Sequence, residues 1–355
     1  MIKPVPHVAA LGAYALADLG GAKTISMAQN ESAFPASPAA IAAGRAAMTE
    51  LPCYPDPEWR ELRTEIAEIH KLEPDMILCG AGSMELIGCL IRAYAGPGDR
   101  VLGTDYGYAF VVSASAQVQA DYVKAREVDL TVSVGDILDA VTSDTRIVFV
   151  CNPGNPTGTL ITNAAIISLR KALPADVILV VDQAYAEFSD VENDPAEVFA
   201  LVDRGDTVVM RTLSKAYGMA GARVGWGYFP PAIAAEVRKL LNPNNISIAA
   251  QAAAAAAMRD QDHMRDVVAR TAAIRDRFAD DCRAMGLSVP QSHTNFVLLR
   301  FASDEQAQRA DQALRVENLL MRGMGGYGLS DCLRATICTP EIMDRARDVL
   351  KGVMT

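Results

Sequence analysis

The sequence predicts an α/β protein in which a mostly parallel sheet is covered by helices, followed by a smaller α/β unit. Three observations lead to this prediction. Short apolar runs such as VFVC and VILVV show no polar alternation, which is typical of strands buried on both faces. Segments with helical spacing of apolar residues lie between these runs, as in a parallel sheet with crossover helices. After Pro243 the composition changes to an alanine-rich helical pattern.

The larger unit is predicted to span residues 40–240. Its helices include 83–94, where apolar residues recur at helical spacing, and 163–172. The strands of this unit are predicted, in chain order, at 76–79, 100–103, 146–151, 177–182, 207–210 and 224–229.

The second unit begins with a helical pattern from 248 to 285, whose charged residues cluster towards its later turns. We expect this stretch to be a solvated connecting helix. The last helix carries an N-terminal signal, because Thr339 can cap it and Pro340 suits its first position. Strands are predicted at 295–301 and 333–338, and helices at 304–314 and 341–354.

Composition limits the class of protein. The chain has 355 residues, of which 50% are hydrophobic and 21% charged, and a net charge of −10. This excludes a mainly disordered chain and argues against binding to nucleic acid or to an anionic membrane. The longest apolar stretch, 246–258, is shorter than the roughly 20 residues of a membrane span, and we identify no signal peptide. Seven cysteines without a C-x-x-C pair predict neither a disulfide framework nor a metal site. We therefore expect a cytoplasmic protein.

Polar residues follow the predicted strands at the points where they end. GAGS (80–83) follows the first strand and opens a helix, and NPGNPTG (152–158) follows the third. Asp182 ends the fourth strand, with Tyr185 three residues later, and Ser-Lys (214–215) comes shortly after the fifth. Ligands of open α/β sheets bind beyond the carboxyl ends of the strands, so we expect these groups to share one site.

Each of these motifs taken alone has an ordinary structural explanation, since glycine and proline form turns, Asp182 can cap a helix, and Lys215 can lie on the surface. Together they fit one chemistry. A lysine that forms a Schiff base needs a way to lose its proton, and a pyridinium cofactor needs a carboxylate on its ring nitrogen. A phosphate binds to a helix N-terminus and an arginine. Arg223, eight residues after Lys215, can be that arginine.

The ordered set N-P-x-N-P-T-G, D-x-A-Y and S-K-x-Y-G, with an arginine eight residues after the lysine, resembles the fold-type I pyridoxal-5′-phosphate (PLP) aminotransferases. Within them it resembles the histidinol-phosphate aminotransferase branch. The resemblance implies a large PLP-binding domain (40–240) with a mostly parallel seven-stranded sheet, and a small domain formed by an N-terminal arm (1–35) and a C-terminal α/β unit (245–355). The implied reaction moves an amino group between an L-amino acid or histidinol phosphate and 2-oxoglutarate by a ping-pong mechanism.

The resemblance also implies the residues that act on the cofactor ring. Lys215 would hold PLP as an internal aldimine and shuttle a proton, and Asp182 would pair with the ring nitrogen. Asn155 and Tyr185 would hydrogen-bond the phenolic oxygen of the ring.

Further cofactor contacts are implied around the ring and its phosphate. Tyr106 would stack on the ring, with Tyr108 or Phe110 as the alternatives if the alignment slips. The phosphate would be bound by the backbone N–H groups of Ser83 and Met84 and by the side chains of Ser214 and Arg223. Tyr54 would reach the phosphate of a partner subunit, which implies an obligate homodimer with shared active sites.

The substrate side is implied by fewer residues. Arg334 matches an arginine that binds the α-carboxylate of an amino acid or the phosphate of histidinol phosphate, because its fork is bidentate to either anion. Arg322, Tyr14 and Asn30 match further positions at this end. The branch usually reads N-E-N-P where this chain has N-E-S-A from Asn30, and D-E in the phosphate loop where it has Met84 and Glu. We therefore leave the amino donor open.

Two other functions stay open at this point. A PLP-dependent decarboxylase or lyase acting on an amino acid or amino-acid phosphate would use the same cofactor-binding set. A non-catalytic PLP-fold module of a DNA-binding regulator would need a helix-turn-helix before the sheet domain, which we do not find, and would have no use for Lys215.

Overall fold

The computed structural model describes residues 2–12, 21, 23–189, 194 and 196–354. The strands in chain order are β1 (Ile25–Met27), β2 (Ile77–Gly80), β3 (Arg100–Thr104), β4 (Asp121–Ala125), β5 (Glu127–Val128), β6 (Thr131–Val132), β7 (Thr145–Cys151), β8 (Ile178–Asp182), β9 (Thr207–Thr212), β10 (Gly225–Tyr228), β11 (Phe296–Arg300), β12 (Leu319–Met324) and β13 (Leu329–Thr336). The helices are α1 (Pro6–Ala9), α2 (Pro38–Ala47), α3 (Arg60–His70), α4 (Ser83–Tyr94), α5 (Ala109–Gln117), α6 (Val134–Ala140), α7 (Asn163–Ala172), α8 (Ala196–Phe199), α9 (Pro231–Arg238), α10 (Ile248–Arg259), α11 (Gln261–Ala284), α12 (Asp304–Val316) and α13 (Pro340–Met354).

The larger sheet has seven strands within the described residues, in the order β2-β10-β9-β8-β7-β3-β4. β10 is antiparallel to both of its neighbours, and the other strands run in one direction. All five residues of β8 are buried, as expected for a central strand covered by helices on both faces. The mostly parallel α/β fold is therefore confirmed, and the six strands predicted for this sheet match observed strands to within two residues at each end.

The edge strand β4 was not predicted by the sequence analysis. Asp121 and Lys124 of this strand are exposed and only Ala125 is buried. The strand therefore shows neither regular alternation nor the continuous apolar run that marks the inner strands.

The prediction of a solvated connecting helix is wrong for α10. This helix buries Ala254 to Met258 and packs against α2 and α3. A Cβ on Gly44 of α2 would lie 3.2 Å from the Cβ of Ala253, so glycine and alanine allow the two backbones to approach closely. The chain then breaks at Asp260, whose side chain accepts a hydrogen bond from the His263 N–H and caps α11. α11 carries the exposed charged residues.

A second sheet lies in the C-terminal unit, in the order β1-β12-β13-β11. β1 comes from the N-terminal segment and pairs in parallel with β12, whereas β13 is antiparallel to both β12 and β11. This sheet and helices α11, α12 and α13 surround a hydrophobic core that is separate from the core of the larger sheet. Among the described helices, none combines the length and the apolarity that crossing a bilayer requires.

Candidate active site

A cavity of about 600 Å³ lies at the carboxyl ends of the large-sheet strands and reaches the residues of β12 and β13. Four strand ends of the large sheet and the N-terminal segment contribute side chains to it. The predicted site residues that line it are Asn30, Ser83, Met84, Asn155, Asp182, Tyr185, Ser214, Lys215, Arg223, Arg322 and Arg334. The structure therefore brings together in one cavity most of the groups that the sequence placed at strand ends.

Asp182, the last residue of the central strand β8, lines the cavity. Its side chain is 5% exposed, and its Oδ1 accepts a hydrogen bond of 3.1 Å from the Ala184 N–H. Burial raises the pKa of the Asp182 carboxyl to about 7, against the opposing effects of that N–H and of Lys215. A buried carboxyl whose pKa is near neutral is suited to share a proton with a ring nitrogen.

Lys215 lines the same cavity and lies three residues after the end of β9. Its Nζ donates to the carbonyl oxygen of Asn30 at 2.8 Å and to that of Gln29 at 3.3 Å. Burial, with the nearby Arg334 guanidinium, lowers the pKa of the Lys215 amine to about 7. A substantial fraction of this amine is therefore neutral near pH 7, which is the nucleophilic form that attacks a carbonyl.

The end of the cavity at α4 is built for an anion. No side chain of the described residues caps the N-terminus of α4, whose N-cap is Gly82 at φ +80°. Arg223 Nη1 lies 3.4 Å from Ser214 Oγ, and a Cβ on Gly82 would lie 2.5 Å from Arg223 Nη2. Glycine at position 82 thus leaves room for a guanidinium beside the uncapped N-terminus of α4, a combination that binds phosphate.

Two arginines on neighbouring strands of the C-terminal unit also line the cavity. Arg334 on β13 is 4% exposed, and Arg322 on β12 lies directly opposite it in the antiparallel register. Arg334 Nη1 donates to Asn155 Oδ1 at 2.6 Å, and its Nη2 donates to the Ala28 carbonyl at 2.7 Å. Two arginines from directly opposed positions of neighbouring strands thus line the cavity, a combination suited to a second anion.

The structure does not place every predicted residue in the cavity. Among the described residues, its lining includes Tyr108 but neither Tyr106 nor Phe110. Tyr106 packs instead against an apolar cluster that includes Leu298, whereas Tyr108, the N-cap residue of α5, lines the cavity. Tyr54 is 86% exposed in the single chain, and Tyr14 lies outside the described residues.

Sequence reasoning also missed several residues that the fold brings to the site. Glu31 and Tyr327 line the cavity. Glu31 directly follows Asn30 in the stretch that departs from N-E-N-P, so this stretch was the one feature of the sequence that could have identified Glu31 as a site residue. No cluster of three or more His, Cys, Asp or Glu side chains that could hold a metal ion occurs among the described residues.

A buried ion pair supports the segments that carry the site. Arg211 on β9 lies 2.8 Å from Glu187, with side chains that are 4% and 6% exposed, and it also donates to Gln183 Oε1 at 3.2 Å. Its guanidinium carbon lies 5.9 Å from the ring centroids of both Phe199 and Trp226. The pair joins the segment of Asp182 and Tyr185 to the segment of Ser214 and Lys215, and nothing in the sequence marked it.

The groups present fit PLP on the chemistry of their donors. A carboxyl whose pKa burial has raised, an amine with a lowered pKa and an anion cradle line the same cavity. The cavity between them is large enough for a cofactor of this size together with a small substrate.

Comparison with known proteins gives an independent result. The model of the family "Aminotransferase class I and II" matches residues 22–350. A histidinol-phosphate aminotransferase of Hyphomonas neptunium is 40% identical over 99% of this chain and 97% of its own length, and one of Rhodospirillum centenum is 42% identical over 94% and 93%. The crystal structure of histidinol-phosphate aminotransferase from Sinorhizobium meliloti in complex with pyridoxal-5′-phosphate superposes with a TM-score of 0.92 and 27% identity, covering 100% of this chain and 98% of that one. The prediction of an aminotransferase with PLP as its cofactor is thus confirmed, and the chain belongs to the class I and II aminotransferases.

Proposed function

We propose that this aminotransferase takes the amino group of histidinol phosphate and passes it to 2-oxoglutarate in a ping-pong reaction. The observation that carries the proposal is the pair Arg322 and Arg334, which lie opposite each other on β12 and β13. Like charges directly opposite on neighbouring strands destabilise a sheet, so this pair in the cavity lining favours a bound anion that offsets the repulsion. Two guanidinium forks suit a phosphate with two negative charges. The relatives that are about 40% identical over nearly their whole length carry this substrate in their names.

The roles of the site residues follow from their positions. When bound, PLP supplies an electron sink that stabilises negative charge on the substrate carbon. Asp182 would keep the ring nitrogen protonated, and Lys215, whose pKa is about 7, would take the substrate Cα proton and return it. Asn155 and Tyr185 would hold the phenolic oxygen of the ring.

The remaining cofactor contacts divide between the phosphate and the ring face. Tyr108, at the cavity edge, is our choice for the aromatic side chain that stacks on the ring. The phosphate would be held by Ser83, Met84, Ser214 and Arg223. Arg334 hydrogen-bonds Asn155, so the residue proposed to hold substrate also touches one proposed to hold the ring.

We also propose that the enzyme is a homodimer that shares its active sites. An exposed apolar stretch supports this proposal, with Met48, Leu51 and Tyr54 at 53%, 57% and 86% exposure in the single chain. Tyr54 would reach the phosphate bound to the other subunit. We propose a division into two domains on the strength of the two separate cores; because the larger core also includes α10, we place the boundary after this helix rather than at 240. We propose a cytoplasmic location on the strength of the seven unpaired thiols.

The amino donor is tested by an absorbance titration of the PLP-loaded enzyme. Histidinol phosphate is expected to bleach the visible cofactor band at lower concentration than any amino acid in a panel, and 2-oxoglutarate is expected to restore it. Lys215→Ala should show no turnover, whereas Lys239→Ala, at an exposed lysine, should behave as the wild type. Bleaching by aromatic amino acids but not by histidinol phosphate would show that the proposed donor is wrong.

The shared site is tested by mixing two inactive variants. Tyr54→Ala and Lys215→Ala subunits form mixed dimers in which one site receives an intact lysine and an intact tyrosine from different chains. Mixing is expected to restore part of the lost activity. Activity that stays absent, in a sample shown to contain mixed dimers, would contradict the sharing of the site.

A further inference from the structure

Asn30 is a buried polar residue where the N-terminal segment meets both sheets. It is 2% exposed and has a φ of +55°, a backbone conformation that asparagine tolerates better than most residues. Its backbone N–H donates to Thr336 Oγ1 at 2.9 Å, and its carbonyl oxygen accepts from Asn295 Nδ2 at 3.1 Å. The C-terminal unit therefore fixes the position of Asn30 through its backbone.

The side-chain amide of Asn30 makes two further hydrogen bonds. Its Nδ2 donates to the Tyr185 hydroxyl at 2.9 Å, and its Oδ1 accepts from Thr336 Oγ1 at 3.1 Å. The Thr336 oxygen already accepts the Asn30 backbone N–H, so its own proton is available for Asn30 Oδ1. This arrangement defines which way the amide points and directs the NH₂ group at Tyr185.

The direction of that hydrogen bond decides what the tyrosine can do. A phenol carries one proton and can accept as well as donate. Because Asn30 donates to the Tyr185 oxygen, the Tyr185 proton is not used on Asn30 and can be donated into the cavity. If the group at Asn30 were an acceptor instead, the Tyr185 hydroxyl would donate its proton to that group and not into the cavity.

We propose that Asn30 is a positioning residue for the reaction, which directs the Tyr185 proton at the phenolic oxygen of the cofactor. This inference rests on the role proposed for Tyr185 and gives Asn30 a task other than lining the substrate end. Thr336 and Arg334 share one face of β13, and they reach Asn30 and Asn155 respectively. One strand of the C-terminal unit thus orients both side chains that are proposed to hold the phenolic oxygen.

The test replaces the donor by an acceptor of the same shape. In Asn30→Asp, the new carboxylate accepts the Tyr185 proton, so the negative charge on the phenolic oxygen loses a hydrogen bond. The readout is a pH titration of the visible absorbance band of the PLP-loaded enzyme without substrate. We expect the pKa of that band to rise by about one unit, a tenfold change in proton affinity, in the same direction as in Tyr185→Phe.

A double variant separates this effect from the direct effect of a new negative charge. In the Tyr185→Phe background, Asn30→Asp is expected to shift the band by less than half as much as in the wild type. An equal shift in both backgrounds, or no shift in either, would overturn the inference. If Tyr185→Phe itself leaves the band unchanged, the proposed role of Tyr185 fails instead.

Two further variants control for folding. Asn318→Asp makes the same change at an exposed asparagine with a φ of +57° and should leave the band unchanged. If Asn30→Asp does not fold, Asn30→Gly keeps the positive φ and removes the amide. A smaller rise in the pKa of the band is then expected, again absent in the Tyr185→Phe background, and its persistence there would count against the inference.

Discussion

The buried pair of Arg211 and Glu187 offers a sharp test of how the site is supported. In Glu187→Met, the Arg211 guanidinium stays buried and keeps its hydrogen bond of 3.2 Å to Gln183 Oε1. Removing one partner of a buried ion pair costs about 3–5 kcal/mol, because the other charge is left uncompensated. In the double variant Glu187→Met/Arg211→Met both charges are gone, and Phe199 and Trp226 provide apolar neighbours. We expect the double variant to recover most of the stability that the single variant loses.

The measurement is equilibrium urea unfolding of the PLP-loaded enzyme, followed by circular dichroism, for the wild type, both single variants and the double variant. The exposed pair of Glu236 and Lys239, with side chains 47% and 65% exposed, supplies the control, since Glu236→Met should cost under about 1 kcal/mol. The reasoning would be refuted if Glu187→Met cost no more than Glu236→Met, or if the losses of the two single variants simply added in the double variant.

Three further predictions concern a half-buried histidine, a glycine and an arginine. Burial lowers the pKa of His70 to about 3, so the unfolded chain takes up a proton as the pH falls below 6.5 and the folded protein loses stability. The free energy of unfolding of His70→Phe, measured in urea, should therefore rise relative to that of the wild type by up to about 2 kcal/mol as the pH falls from 7 to 5. A difference between the two proteins that does not depend on pH would contradict this. Gly82→Ala should weaken PLP binding at least tenfold in a fluorescence titration, because its Cβ would meet a guanidinium nitrogen at 2.5 Å. Gly205→Ala should leave PLP binding unchanged, because this glycine also has a positive φ of +90° but an added Cβ would meet no atom within 4 Å. Equal affinities in the two variants would exclude a steric conflict at Gly82. Arg334→Lys loses the bidentate fork, so the KM for histidinol phosphate should rise about 10- to 100-fold, whereas an unchanged KM in steady-state assays would remove Arg334 from the substrate site.

The sequence predicted the parts of the fold that leave a local pattern. Strand β8 is a continuous apolar run that ends in Asp182, so both the strand and the position of the carboxylate at the sheet edge could be read from the chain. The exposed edge strand β4 and the short strand β1 leave no such pattern, because their place is set by pairing with distant residues.

The same distinction holds within the site. Lys215 and Arg223 were found because their motifs lie in one stretch of chain. Tyr108 was predicted only as an alternative to Tyr106, because the sequence does not show which tyrosine of the loop before α5 lines the cavity. The contact of Asn30 with Tyr185 joins residues 155 positions apart, and no spacing in the sequence can reveal it.

The parallel pairing of β1 with β12 has a consequence for biosynthesis. During synthesis, Asp182, Ser214 and Lys215 emerge from the ribosome long before β12 and β13 are made. The large sheet is therefore complete before the strands that pair with β1 and carry Thr336 exist. Until residues 319–336 dock, Asn30 lacks its partner Thr336, and the cavity lacks the two arginines that we propose bind substrate. We therefore expect a nascent chain halted before β12 to hold PLP weakly and to transfer no amino group, even with every cofactor residue of the large sheet already folded.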